Sequence, residues 1–290
     1  MVCRHITNKA AQLQQQPPGY YHSTAQLNAW REEFTREGYI VVRNFLPQQV
    51  LLRAQNDAQH FADVVAPTLA EGQVVYEDDG RIRHITDIAQ HDPGAVWAQI
   101  AHSRRTVEIV EALLPSKRIG SSRGPPGTEL FWKPGGATWI APPHQDNAYV
   151  FLTHEHCDAL AIWIALDDAP TSSGGLHYAA GSHKLGDLDH SIAPSAPFSK
   201  GMTAAAVAEL EAREAPAYPW VSLEMRAGDC VVPSSKENVT VPKKSVNERF
   251  EFSFTCILIS ARLHGYRNLF LGVGTPLPDC PQILAKQRGT

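Results

Sequence analysis

His144-Gln145-Asp146 is the stretch of this 290-residue chain whose residue types and spacing could do chemistry. A histidine and a carboxylate two residues apart on an extended segment project to the same side, as two donors of a facial metal site must. Imidazole and carboxylate are both metal-ligating groups, and the carboxylate adds negative charge. Taken alone the tripeptide is a weak signal, equally compatible with a surface turn. His154, His156 and His177 have no partner at a telling spacing and read as solvated or packed side chains.

The elements that must position this pair are short strands. Residues 149–152, 159–166, 176–180, 229–232 and 250–259 are β-rich runs separated by turn residues, and the alternation in Phe250-Glu251-Phe252-Ser253-Phe254-Thr255 is clean, which predicts a β sandwich or barrel. The stretch 120–143 is rich in glycine and proline and predicts loops around one strand at 129–133. Ahead of it, Leu27, Trp30 and Phe34 at helical spacing with Gly38 as a stop predict a short amphipathic helix. A strand follows at Tyr39-Ile40-Val41-Val42, then helices over 50–65, opened by Pro47, and 104–114, stopped at Pro115. Residues 1–24 read as a polar leader, 25–262 as the domain, and 263–290 as a tail. An insertion at 185–219, with several prolines and a helix-compatible run at 202–213, reads as a lid or substrate loop.

Composition narrows the function classes. Hydrophobic residues make up 43% and charged residues 19%, enough to bury a sizeable core. Asp and Glu outnumber Lys and Arg, 30 to 26, and the basic residues are scattered, which argues against a nucleic-acid partner and for a small molecule. Five cysteines without a CxxC pair signal neither a disulfide framework nor a zinc ribbon, so the expected compartment is reducing, intracellular and cytoplasmic. The absence of an apolar leader and of any 18-residue apolar run predicts no signal peptide and no membrane span.

Three blocks carry a family resemblance in order and spacing: Pro142-Pro143-His144-Gln145-Asp146-Asn147-Ala148-Tyr149, then Ala161-Ile162-Trp163-Ile164-Ala165-Leu166-Asp167-Asp168-Ala169, then Ser173-Gly174-Gly175-Leu176-His177-Tyr178-Ala179-Ala180-Gly181-Ser182-His183-Lys184. They resemble the phytanoyl-CoA dioxygenase family. The likeness reaches upstream to Glu129-Leu130-Phe131-Trp132-Lys133-Pro134 and to Glu37 through Leu46, and downstream to Ala227-Gly228-Asp229. It implies a mainly β chain, a double-stranded β-helix of the jelly-roll or cupin type with flanking N-terminal helices. It also implies an Fe(II) enzyme that consumes 2-oxoglutarate and O2 while hydroxylating a small organic or acyl substrate. By position His144 and Asp146 resemble the iron ligands, and Arg249, Trp163 and Lys133 resemble the residues that bind the co-substrate. Trp163 reads equally as a core aromatic, and Arg249 also fits a surface position in the charged loop 243–249. His183 reads as structural or solvent-facing. An aspartate at 146 argues against the related halogenases, which need that position empty.

One departure stands out. The family places a third ligand, a histidine, after the Gly-Asp turn and ahead of the clamp arginine, and the stretch from Cys230 to Pro242 contains none. The slot falls near Asn238 or Val239. His264 swinging in, water filling the position, and a catalytically impaired copy that binds without turnover are the open alternatives. A cupin isomerase or sugar-binding jelly roll would share the architecture without needing Arg249 or Trp163.

Overall fold

The computed structural model describes residues 22–70, 72–86, 88–91, 96–114, 118–120, 128–133, 141–148, 158–173, 175–192, 200–212, 218–241 and 252–262. The strands are β1 (Tyr39–Val42), β2 (Val74–Tyr76), β3 (Ile82–Ile85), β4 (Arg118–Gly120), β5 (Thr128–Lys133), β6 (Ala141–Gln145), β7 (Asp158–Ala165), β8 (His177–Ala179), β9 (His190–Ile192), β10 (Lys200–Met202), β11 (Trp220–Ser222), β12 (Cys230–Pro233), β13 (Asn238–Val241) and β14 (Phe252–Arg262). The α-helices are α1 (Thr24–Glu37), α2 (Gln48–His60), α3 (Ile88–His91), α4 (Val96–Ala101), α5 (Arg104–Leu113) and α6 (Ala204–Glu211).

Two antiparallel sheets face each other. The larger runs β1-β12-β7-β14-β5-β3-β2, with β4 also paired to β14, and the smaller runs β11-β8-β13-β6. Strand β7 shows how one sequence serves two layers. Its alternation sends Leu160, Ile162 and Ile164 into a cluster with Trp30, Leu51, Phe61, Trp97 and Ile109 of the helices. Ala161, Trp163 and Ala165 point the other way, into a second cluster with Phe131, Tyr178, Val231 and Val239 between the sheets. This is the double-stranded β-helix with N-terminal helices on its outer face. The chain is mainly β, as the strand pattern predicts.

Local chemistry explains the helix bounds. Ser23 caps α1 by accepting the Gln26 N–H at 3.1 Å, and Gly38 ends it at φ +82°, the left-handed conformation that glycine adopts most readily. Helix α2 begins directly after Pro47, two residues earlier than predicted. It runs on through a π turn (Phe61–Val65) that turns Phe61 into the core. The predicted strand at 149–152 lies outside the described residues.

Among the elements that went unpredicted, two pack together. The first is β6, which contains Pro142 and Pro143. As the outermost strand of the smaller sheet it tolerates residues that lack an N–H, because a proline on an edge breaks no ladder bond. The second is the β9–β10 hairpin of the insertion, which packs on β6. Gly201 permits that approach, since a Cβ there would lie 2.9 Å from Pro142 Cγ.

Candidate metal centre

His144 is the penultimate residue of β6 and Asp146 opens the 3-10 turn Asp146–Ala148, so the extended stretch predicted through both residues ends one residue early, at Gln145. Their side chains still converge, with Nε2 of His144 3.6 Å from Oδ1 of Asp146, and His144 is 5% exposed. The tautomer follows from the partner of the other ring nitrogen. Nδ1 lies 2.7 Å from the carbonyl oxygen of Pro142, which can only accept, so the neutral ring carries its proton on Nδ1 and turns the Nε2 lone pair toward the carboxylate. Two lone pairs facing each other favour a cation between them. Donors sit about 2.0 to 2.2 Å from such an ion, which separates two ligands of one centre by about 3 to 4 Å, and the observed gap falls in that range. His144 and Asp146 therefore fit a divalent metal.

The pair is braced from behind. Gln145 donates through Nε2 to the carbonyls of Gly186 (2.8 Å) and Lys236 (2.7 Å) and accepts the Leu188 N–H at Oε1 (2.8 Å). Its backbone N–H donates to His190 Nε2 at 3.0 Å. Asn147 extends the brace, donating from Nδ2 to Asp187 at 2.8 Å and from its backbone N–H to the Ser235 carbonyl at 2.8 Å. A cavity of about 470 Å³ lies beside this turn, lined by Gln145, Asn147, Asp187, His190 and Lys200 among others. Sequence reading missed Gln145 and His190 as positioning residues. Gln145 carries a signal only in standing between two donors, and His190 carries none, because its partner lies across the fold.

The remaining predicted residues fall out as follows. Trp163 projects between the sheets, its ring centroid 5.3 Å from that of Phe131. Lys133 is 0% exposed at the end of β5, two residues beyond Phe131 on the same face. His177 is half-buried in β8; burial first, and the Lys133 charge second, hold its pKa below the ordinary 6.5. Arg249, His154, His156 and His264 lie outside the described residues.

His183 has a structural task. The carboxylate of Glu237, 1% exposed, accepts from Ser182 N–H (3.2 Å), Ser182 Oγ–H (2.7 Å) and His183 N–H (3.1 Å), and pairs with His183 Nδ1 (3.0 Å). A Cβ on Gly38 would overlap this carboxylate, so the glycine that ends α1 also makes room for the latch.

Register distinguishes the two positions, Asn238 and Val239. Strand β13 pairs with β6 so that Val239 stands directly opposite His144, while Asn238 pairs with Gln145. Residues directly opposite in an antiparallel pair share a face, so the residue of β13 on the His144 face is a valine. Among the described residues no group of three His, Cys, Asp or Glu side chains could hold a metal ion. Among the described residues only His144 and Asp146 come together in this way, and no helix among them is long and apolar enough to cross a membrane.

Solved structures share this architecture. EctD from S. alaskensis, in a structure with 2-oxoglutarate and 5-hydroxyectoine, aligns at TM-score 0.61 and 18% identity, over 86% of this chain and 79% of that one. The epimerase SnoN in complex with Fe3+, alpha ketoglutarate and nogalamycin RO aligns at 0.61 and 18%, over 88% and 93%. AviO1 from Streptomyces viridochromogenes Tue57 aligns at 0.56 and 18%, over 89% and 100%. At these identities the likeness is one of fold. No curated protein sequence matches the chain. The model of the family described as Phytanoyl-CoA dioxygenase (PhyH) matches residues 34–236, which include strands β1 to β12 and the His144–Asp146 pair. The chain belongs to the phytanoyl-CoA dioxygenase family of non-haem iron, 2-oxoglutarate-dependent oxygenases.

Proposed function

We propose that the chain is a dioxygenase that uses Fe(II), 2-oxoglutarate and O2 to hydroxylate a small organic molecule or acyl substrate, at a centre held by His144 and Asp146. The observation that carries this reading is the 3.6 Å approach of a tautomer-fixed imidazole to a carboxylate on one face of the barrel. When bound, iron supplies the activation of oxygen. The chain's own residues then do three things. His144 and Asp146 offer a neutral nitrogen and an anionic oxygen to one cation, and the brace through Gln145 holds both in place. Lys133, a cation buried among the interior residues, is suited to a dicarboxylate co-substrate, and Trp163 with Phe131 forms a dry wall of the same interior. The insertion at 185–219 packs beside this turn through Asp187, Leu188 and His190, which supports its reading as a segment that borders the substrate entrance.

The test is direct: folded, iron-loaded protein is expected to release succinate from 2-oxoglutarate, and Asp146→Ala to abolish the release. No succinate from such a sample would remove the enzymatic reading. A second reading, a binding module that keeps the fold without turnover, is favoured by Val239 in the third donor position. Calorimetry separates the two, because heat of 2-oxoglutarate binding without succinate belongs to the module alone.

A further inference from the structure

His144, Val239 and Tyr178 form a row across three strands: Val239 of β13 is paired with His144 of β6 on one side and with Tyr178 of β8 on the other. Both Val239 and Tyr178 are buried, at 2% and 0% exposure, in the cluster between the sheets. A side chain at 239 therefore stands beside the imidazole that faces Asp146, about 4.5 to 5.5 Å away between Cβ atoms, close enough for both to reach one ion.

Among the described residues the neighbouring alternatives to residue 239 are already engaged or out of register. Glu237 is the nearest carboxylate in sequence, but both its oxygens are taken by Ser182 and His183. His177 is paired with Thr240, one residue off the row, and so belongs to the other face. His190 spends Nε2 on the Gln145 N–H and Nδ1 on the Leu188 carbonyl.

We propose that Val239 sets the metal affinity of this chain: it stands beside His144 without a donor atom, so among the described residues His144 and Asp146 alone hold a divalent cation, which exchanges freely with solution. This rests on the reading of those two residues as the metal donors. Its consequence is specific to one position. A donor introduced at 239 completes a three-point site, whereas the same donor at 238 meets the register of Gln145 and adds nothing.

The test is titration of the full-length protein with Co(II), followed by calorimetry and visible absorption, for wild type, Val239→His, Asn238→His and Val239→Cys. Outer partners of metal ligands alone change affinity by about 10- to 100-fold, so a whole imidazole donor at 239 is expected to tighten binding by about 100-fold or more. Asn238→His is expected to match wild type. Val239→Cys, nearly isosteric and therefore the variant that folds even if the larger imidazole does not, is expected to show a cobalt–thiolate charge-transfer band absent from wild type. Wild type binding as tightly as Val239→His, or an equal gain in Asn238→His, overturns the proposal and leaves the oxygenase reading standing. No binding in wild type, Val239→His or Val239→Cys overturns both.

Discussion

Nε2 of His190 accepts the backbone N–H of Gln145 at 3.0 Å, so the strand that carries His144 is tied to the insertion through one imidazole. The other ring nitrogen, Nδ1, donates to the Leu188 carbonyl at 2.7 Å, which leaves the ring neutral with both nitrogens in use. Protonation of Nε2 removes the acceptor.

This relationship predicts a pH dependence. Burial is the main cause that holds the His190 pKa below its ordinary 6.5; His144 and Lys200 act the same way, and the Leu188 carbonyl and Asp187 oppose them. The folded state favours the neutral ring, so the stabilisation is complete above the unfolded value and is lost as pH falls through it and below. Thermal melts between pH 8 and pH 5 are expected to fall more steeply for wild type than for His190→Ala. Parallel profiles would show that the ring does not couple the insertion to β6.

Gln145 has three side-chain hydrogen bonds, two given and one received, all to backbone groups of other segments. Gln145→Leu keeps the bulk and strips the bonds, leaving two carbonyls and an N–H unsatisfied at about 1 to 3 kcal/mol each if they stay dry. Urea unfolding is expected to show a loss of about 3 kcal/mol or more, together with a roughly 10- to 100-fold drop in metal affinity. A variant that loses stability while binding metal unchanged would confine Gln145 to folding.

The Glu237 latch predicts a large effect far from any reacting atom. Glu237→Ala strands the donors of Ser182 and His183 in a buried site, and breaking such a buried pair costs about 3 to 5 kcal/mol. Gly38→Ala is expected to damage the same latch, because the added methyl group enters the space of the carboxylate at a backbone φ of +82°. Chemical denaturation of both variants checks this, and a loss under about 1 kcal/mol in either would mean that the latch adds little.

Lys133→Met separates structure from binding. The variant puts an apolar side chain of similar length at this fully buried position, and urea unfolding reads its stability separately from its binding. If the ammonium group meets the co-substrate, half-saturation by 2-oxoglutarate rises about tenfold or more, the loss of roughly one charge-assisted hydrogen bond. An unchanged half-saturation in a well-folded variant would take Lys133 out of the co-substrate site.

Local signals carried much of this from sequence. The spacing of Leu27, Trp30 and Phe34 and the stop at Gly38 locate α1, and the alternation in 159–166 locates β7 to within a residue at each end, because both depend on neighbours in the chain. The His144–Asp146 pair was legible for the same reason. Strand β6 was hidden by Pro142 and Pro143, whose tolerance depends on an edge position that only the assembled sheet creates. The third donor slot could be narrowed to Asn238 or Val239 but not to one of them. A shift of one residue reverses the face of a strand, and that choice is made by pairing with β6. The partners of Glu237 and His190 were illegible, since each lies about 45 residues or more away along the chain.

Strand β1 has a consequence for how the chain comes together. Tyr39 pairs with Pro233 and Val42 with Cys230, so the first strand finds its neighbour only after nearly two hundred further residues have left the ribosome. Until then the apolar side chains of Ile40 and Val42 have the early helices for company and an open backbone edge on the side meant for β12. Closure over so long a loop is slow, and the nascent protein is exposed during that wait to pairing with the same edge of another copy.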